Sequence, residues 1–130
     1  MRKGQETKIL LVEDNNDVLA ALRLLLEMDG FKVFTARDGS EGYRSYLDGC
    51  PDLVITDLNM PSMDGLELIT LIRTDRACSK TPIIVISAYQ ESERCKAVGA
   101  NCYLRKPYDY DQLKQLIDYI MPGQPSVIAA

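Results

Sequence analysis

Apolar residues in this chain fall into short dense runs, separated by longer stretches in which apolar positions recur every three or four residues. The dense runs predict strands at Ile9–Glu13, Lys32–Ala36, Asp52–Asp57, Pro82–Ser87 and Cys102–Arg105. The first, third and fourth are nearly unbroken Ile, Leu and Val, as parallel strands covered on both faces require. The periodic stretches predict helices at Asn16–Asp29, Ser40–Leu47, Gly65–Thr74, Gln90–Val98 and Tyr110–Ile120. In the last of these, Leu113, Leu116, Ile117 and Ile120 make one apolar stripe. Asp38, Asp64 and Asp109 each stand three residues before Glu or Gln, the spacing of a helix-capping pair. Gly30 and Gly99 follow the first and fourth helices, where a left-handed residue is often needed.

Strict alternation of strand and helix implies an α/β fold with right-handed crossovers and helices on both faces. Five strands favour a doubly wound parallel sheet in the order 2-1-3-4-5, the flavodoxin-like arrangement. In that order the first and third strands are neighbours, and ligands bind at the carboxyl edge of the sheet. The strands end there in Glu13-Asp14, Asp57, Ser87 and Lys106. Three carboxylates in one place repel each other unless a cation compensates them.

The bulk properties narrow the function. The 130 residues suit one domain with one core. A net charge of −4 argues against a nucleic-acid module, which carries a basic face. No apolar stretch reaches the roughly 20 residues that cross a bilayer. The polar start, Met1–Lys8, shows no signal peptide, so a cytoplasmic location is expected. Cys50, Cys78, Cys95 and Cys102 lack zinc-site spacing and are expected to be buried or half-buried thiols. The chain has no histidine, which excludes a Ser-His-Asp triad and places any phosphohistidine on another molecule.

The run Asp57-Leu-Asn-Met-Pro-Ser-Met-Asp-Gly65, with Glu13-Asp14, Ser87-Ala88 and Lys106-Pro107, resembles the receiver domain of two-component response regulators, of the chemotaxis-regulator kind. The resemblance spans about residues 8–121, leaving 1–7 as a polar extension and 122–130 as a loose tail or the start of a linker. It implies that Asp57 is the phosphoacceptor, since a carboxylate can attack phosphorus to give an acyl phosphate. Glu13, Asp14, Asp57 and the backbone carbonyl of Asn59 would then hold Mg²⁺ or Mn²⁺, and Lys106 would reach the phosphoryl oxygens. Ser87 is implied to be the switch hydroxyl, with Tyr103 as its rotating aromatic partner. On their own, a serine after a strand reads as a helix cap and a strand tyrosine as packing. The family also has a cis bond at the position of Lys106-Pro107.

The function that the resemblance implies is a signalling switch. It would take phosphate from a histidine kinase or histidine-phosphotransfer protein and pass the signal by contact to a downstream effector protein or domain. It is not an enzyme with an external product. The changing face would be the fourth helix, fifth strand and fifth helix, and a phosphorylation-dependent dimer is a further expected partner state. Tyrosines 103, 108, 110 and 119 cluster in this last quarter, as on a recognition face or in ordinary packing. Tyr89, two residues after Ser87, would overhang the phosphoryl group and slow self-dephosphorylation. On the first helix, Leu25, Val18, Leu22, Leu26 and Leu19 make the expected buried stripe. Ala21, Leu24 and Met28 widen it, either as a broad core contact or as a docking patch for the phosphodonor.

Two other functions compete. An aspartyl-phosphate phosphatase of the haloacid dehalogenase type wants an acid where Asn59 stands. A flavodoxin-like flavin carrier wants a Ser/Thr/Gly-rich first loop, whereas Glu13-Asp14-Asn15-Asn16-Asp17 would repel a phosphate. With no effector segment after Met121, the chain reads as a stand-alone receiver or one excised from a longer protein.

Overall fold

The computed structural model describes residues 6–60, 63–75, 80–88 and 92–121. Five strands alternate with five helices: β1 (Lys8–Val12), α1 (Asn16–Met28), β2 (Lys32–Ala36), α2 (Gly39–Gly49), β3 (Leu53–Asp57), α3 (Gly65–Thr74), β4 (Ile83–Ser87), α4 (Ser92–Val98), β5 (Cys102–Arg105) and α5 (Tyr110–Ile120). The strands form one parallel sheet in the order β2-β1-β3-β4-β5, as the alternation predicts. Register places Val12 beside Thr56, and Asp57 beside Ile86. The residues that follow β1 and end β3 and β4 therefore gather at one edge.

The continuous apolar strands split by alternation into two cores. Ile9, Leu11, Ile55, Ile84 and Ile86 face α1 and α5, where Leu19, Leu22, Leu26, Leu113 and Ile117 meet them. Leu10, Val12, Val54, Ile83 and Val85 face the other side, against Tyr46, Leu68, Ile69, Ile72 and Cys95 of α2, α3 and α4. The sheet is thus covered on both faces, which is why the strands carry no polar alternation. Among the described residues, no helix is long and apolar enough to cross a membrane.

Local signals act much as expected, with some differences. Asp64 and Asp109 form complete capping boxes with Glu67 and Gln112. Asp38 accepts from the Glu41 amide at 2.8 Å, but the Glu41 carboxylate reaches back to the amide of Arg37, at 2.6 Å, and so closes the turn one residue earlier. Gly30 and Gly99 have φ of 94° and 114°. α2 runs two residues past its expected end, and Cys50 caps it in the left-handed region at φ 43°. Cys50 is exposed rather than sheltered, while Cys95 is buried and Cys102 half-buried. The expected sites at Cys78 and Tyr89, and the tail 122–130, lie outside the described residues.

Opposite the carboxyl edge, Arg73 in the last turn of α3 ties three segments together. It donates to the carbonyls of Gly99 at 2.9 Å and Thr81 at 2.7 Å, and to Asn101 Oδ1 at 2.8 Å. Asn101 Oδ1 also accepts from the Ile83 amide at 2.8 Å. Arg73→Ala is expected to lower stability by about 2–4 kcal/mol, because three hydrogen bonds to a cation are lost together. A thermal melt followed by circular dichroism checks this; an unchanged midpoint would mean the network is dispensable.

Candidate functional site

The site is built where β1, β3 and β4 stop. Glu13 continues β1 by one residue, its amide bonding the Ala36 carbonyl at 3.0 Å. Its side chain turns inward and is almost fully buried, whereas Asp14 beside it is exposed. Asn15 then caps α1: its Oδ1 accepts from the amides of Asp17 and Val18, while its own amide donates to Glu13 Oε2 at 3.0 Å. Sequence reasoning missed Asn15. A capping-class residue directly before the first helical position is the signal that marks it.

Asp57, the last residue of β3, is 9% exposed. Its two carboxylate oxygens have separate duties. Oδ1 accepts from the Leu58 amide at 2.6 Å and the Asn59 amide at 3.4 Å. Oδ2 meets the Lys106 ammonium at 3.2 Å. The same ammonium lies 3.8 Å from Glu13 Oε1. Lys106 is held over the sheet edge by its own amide, which donates to the Ser87 carbonyl at 2.9 Å, and the following bond to Pro107 is cis. Ser87 is fully buried at the end of β4. Tyr103, half-buried in β5 opposite Val85, packs against the core on the α2–α4 side. Asn59 is exposed, just past the phosphoacceptor candidate.

Glu13, Asp14 and Asp57 each bring a carboxylate oxygen within 4.8 Å of the others. Hard anionic oxygens at this spacing suit a small divalent cation, and the group contains neither sulfur nor imidazole. Burial pushes the Glu13 carboxyl above its ordinary value. The Asn15 hydrogen bond opposes that, the Asp57 charge reinforces it, Lys106 opposes it, and the hydrogen bond with Asp14 reinforces it. In metal-free protein the folded state therefore binds this proton more tightly than the unfolded chain does. Stability from Glu13 is fully present below the ordinary value of 4.5 and is lost as pH rises through the raised folded value. Glu13→Gln in chelator is expected to flatten that fall and to raise the melting midpoint at pH 7. A wild-type slope retained by the variant would contradict this origin.

Beside the site lies an open apolar groove of about 470 Å³, with Val18, Ala21 and Leu25 on one wall and Pro107, Tyr108 and Tyr110 on the other. Lys106, whose ammonium meets Asp57, also lines it. Leu25 belongs to this wall and is 36% exposed, which corrects its expected place in the buried stripe. The core contact of α1 is narrower than its apolar arc, and Leu24 and Met28 stand 58% and 73% exposed. Burial, and then the negative charges of Glu13 and Asp57, push the Tyr108 hydroxyl upward. Of the four late tyrosines, Tyr119 is 80% exposed and the others are half-buried.

Known proteins share this architecture. The family model of the response regulator receiver domain matches residues 9–118. The transcriptional regulatory protein PrrA of Mycobacterium tuberculosis is 38% identical over 104 residues, covering 78% of this chain and 44% of PrrA. The response regulator ArlR of Staphylococcus aureus is 37% identical over 122 residues, covering 92% of this chain and 54% of ArlR. The chain thus spans about half the length of these relatives. Among solved structures, the chemotaxis response regulator CheY4 of Vibrio cholerae superposes with a TM-score of 0.84 at 29% identity, over 89% of this chain and 99% of CheY4. The response regulator TrrA of Thermotoga maritima, solved in complex with Mg²⁺-BeF, gives 0.79 at 31% identity, over 88% of this chain and 98% of TrrA.

Proposed function

This chain belongs to the response regulator receiver domain family, and from that premise we propose that it takes a phosphoryl group onto Asp57 from a phosphohistidine on a histidine kinase or phosphotransfer protein. The observation that carries the proposal is the state of the Asp57 carboxylate, buried and divided between backbone amides on one oxygen and Lys106 on the other. Such a group is oriented for attack while its charge is matched. An Asp57 oxygen forms a bond to phosphorus as the bond from phosphorus to the donor imidazole breaks, and the imidazole leaves by taking a proton.

Glu13, Asp14 and Asp57, with the carbonyl of Asn59, would hold Mg²⁺ or Mn²⁺. The ion bound in TrrA supports magnesium. Bound there, the ion offsets negative charge on the transferring group. Lys106 supplies a positive charge of its own and still balances Glu13 when the phosphoryl group arrives. Hydrolysis of the acyl phosphate by water returns Asp57 and releases inorganic phosphate, which ends the cycle.

The apolar groove, with exposed Leu24 and Met28 beyond it, supports docking of the phosphodonor next to Lys106. On the output side, the new dianion attracts the Ser87 hydroxyl, and Tyr103 turns in behind it. The surface of α4, β5 and α5 then changes its affinity for an effector protein or domain. The deciding experiment is intact mass after incubation with acetyl phosphate, with and without Mg²⁺. A phosphate-sized gain that requires the cation supports the reading; no gain under either condition overturns it.

A further inference from the structure

The start of α5 is fastened to the end of α1 by a side-chain hydrogen bond between residues far apart in sequence. Tyr110 Oη donates to Asp29 Oδ2 at 2.7 Å and lies 3.4 Å from the Leu25 carbonyl. Asp29 is the C-cap of α1, and the last turn of that helix carries no basic residue. An acid at a helix C-terminus faces the negative end of the macrodipole, which is locally unfavourable. Helix stability alone therefore does not account for Asp29. Its carboxylate serves as the acceptor for Tyr110.

What this contact restrains is the path of the chain from Lys106 to Tyr110. Upstream, the Lys106 amide is fixed to the Ser87 carbonyl at 2.9 Å. Downstream, Tyr108 packs against the core and the first turn of α5 follows, with Asp109 as its cap and Tyr110 as its first residue. A lysine side chain has four rotatable bonds, so the site of its ammonium depends on how firmly the backbone below it is held. Burial, then the Asp29 hydrogen bond and charge, keep the Tyr110 hydroxyl protonated and donating.

We infer that Tyr110 is a positioning residue for Lys106: clasped to Asp29, it fixes the segment that presents the ammonium to Asp57. The inference rests on the receiver reading above. Tyr110→Phe keeps the ring and removes the donor; Asp29→Ala removes the acceptor; Asp29→Asn keeps an acceptor oxygen. With acetyl phosphate and Mg²⁺ as the probe, the first two variants are expected to gain phosphate about tenfold more slowly than wild type, the scale of a loosened reacting group. Asp29→Asn is expected to stay near the wild-type rate. The double variant Tyr110→Phe with Asp29→Ala should be no slower than either single change, because both break one contact.

A merely structural role predicts rate losses that track loss of stability. As a clasp, Asp29→Ala loses the Tyr110 bond but relieves a dipole clash, so its melting midpoint should move little while its rate falls. Wild-type rates in Tyr110→Phe, or in Asp29→Ala, or additive losses in the double variant, each overturn the inference. Absence of phosphate gain in wild type would instead overturn the receiver reading, so the two failures are distinct.

Discussion

Asp57→Asn is expected to abolish phosphate uptake from acetyl phosphate and Mg²⁺ while leaving the domain folded. The amide oxygen can still accept from the Leu58 and Asn59 amides, so the turn after β3 keeps its local bonds. What disappears is the anionic nucleophile, since a neutral amide does not form an acyl phosphate. The Lys106 ammonium loses its partner at 3.2 Å but retains Glu13 at 3.8 Å, and repulsion between Glu13 and residue 57 is relieved. These changes oppose each other, so the melting midpoint should move little. Intact mass distinguishes the outcomes directly. A gain in the variant equal to that of wild type would place the acceptor on another carboxylate, with Glu13 and Asp14 the first to test.

The second large effect is expected at Gly65. A Cβ there would lie 2.5 Å from the Asp57 carbonyl oxygen and 2.9 Å from Leu58 Cα. Both are backbone atoms of the turn that aims the Asp57 carboxylate, and the Gly65 amide donates to the Leu58 carbonyl at 2.8 Å. The first turn of α3 is therefore pressed against that turn, and even one methyl must push them apart. Gly65→Ala is expected to cost about 2–4 kcal/mol and to slow phosphate gain as Asp57 shifts. Gly30→Ala provides the contrast. Its Cβ would meet nothing within 4 Å, and only its φ of +94° is strained, at about 1–2 kcal/mol, with no loss of rate. Equal melting midpoints for Gly65→Ala and wild type would show that the contact yields more easily than its geometry allows.

The parts of this molecule that sequence disclosed are those fixed by short-range rules. Strand positions agree within a residue because Ile, Leu and Val crowd wherever a strand is covered on both faces, as at Ile83–Ser87. Acids and a lysine at successive strand ends could be brought together from topology alone, since parallel strands deliver their carboxyl ends to one edge. Leu25 shows where this stops. Helical periodicity gives the direction of an apolar arc, but how much of the arc is covered depends on the width of the neighbouring surface, and α1 buries only Leu19, Leu22 and Leu26. Glu41 shows a second limit, because a capping pair can shift its return bond by one residue without altering the pattern. The contact of Tyr110 with Asp29 lies beyond any local rule. It joins two residues separated by 81 positions, neither of which carries a motif.

Among the described residues, the outermost strands of the sheet, β2 and β5, each pair on one side only. β5 is four residues long and ends at exposed Arg105, while β2 begins at exposed Lys32. Short borders bearing cations discourage ribbon-to-ribbon growth between molecules, because every added chain would bring like charges into line. Two such domains meeting at high concentration should therefore stay free of fibrillar stacking through their sheet borders.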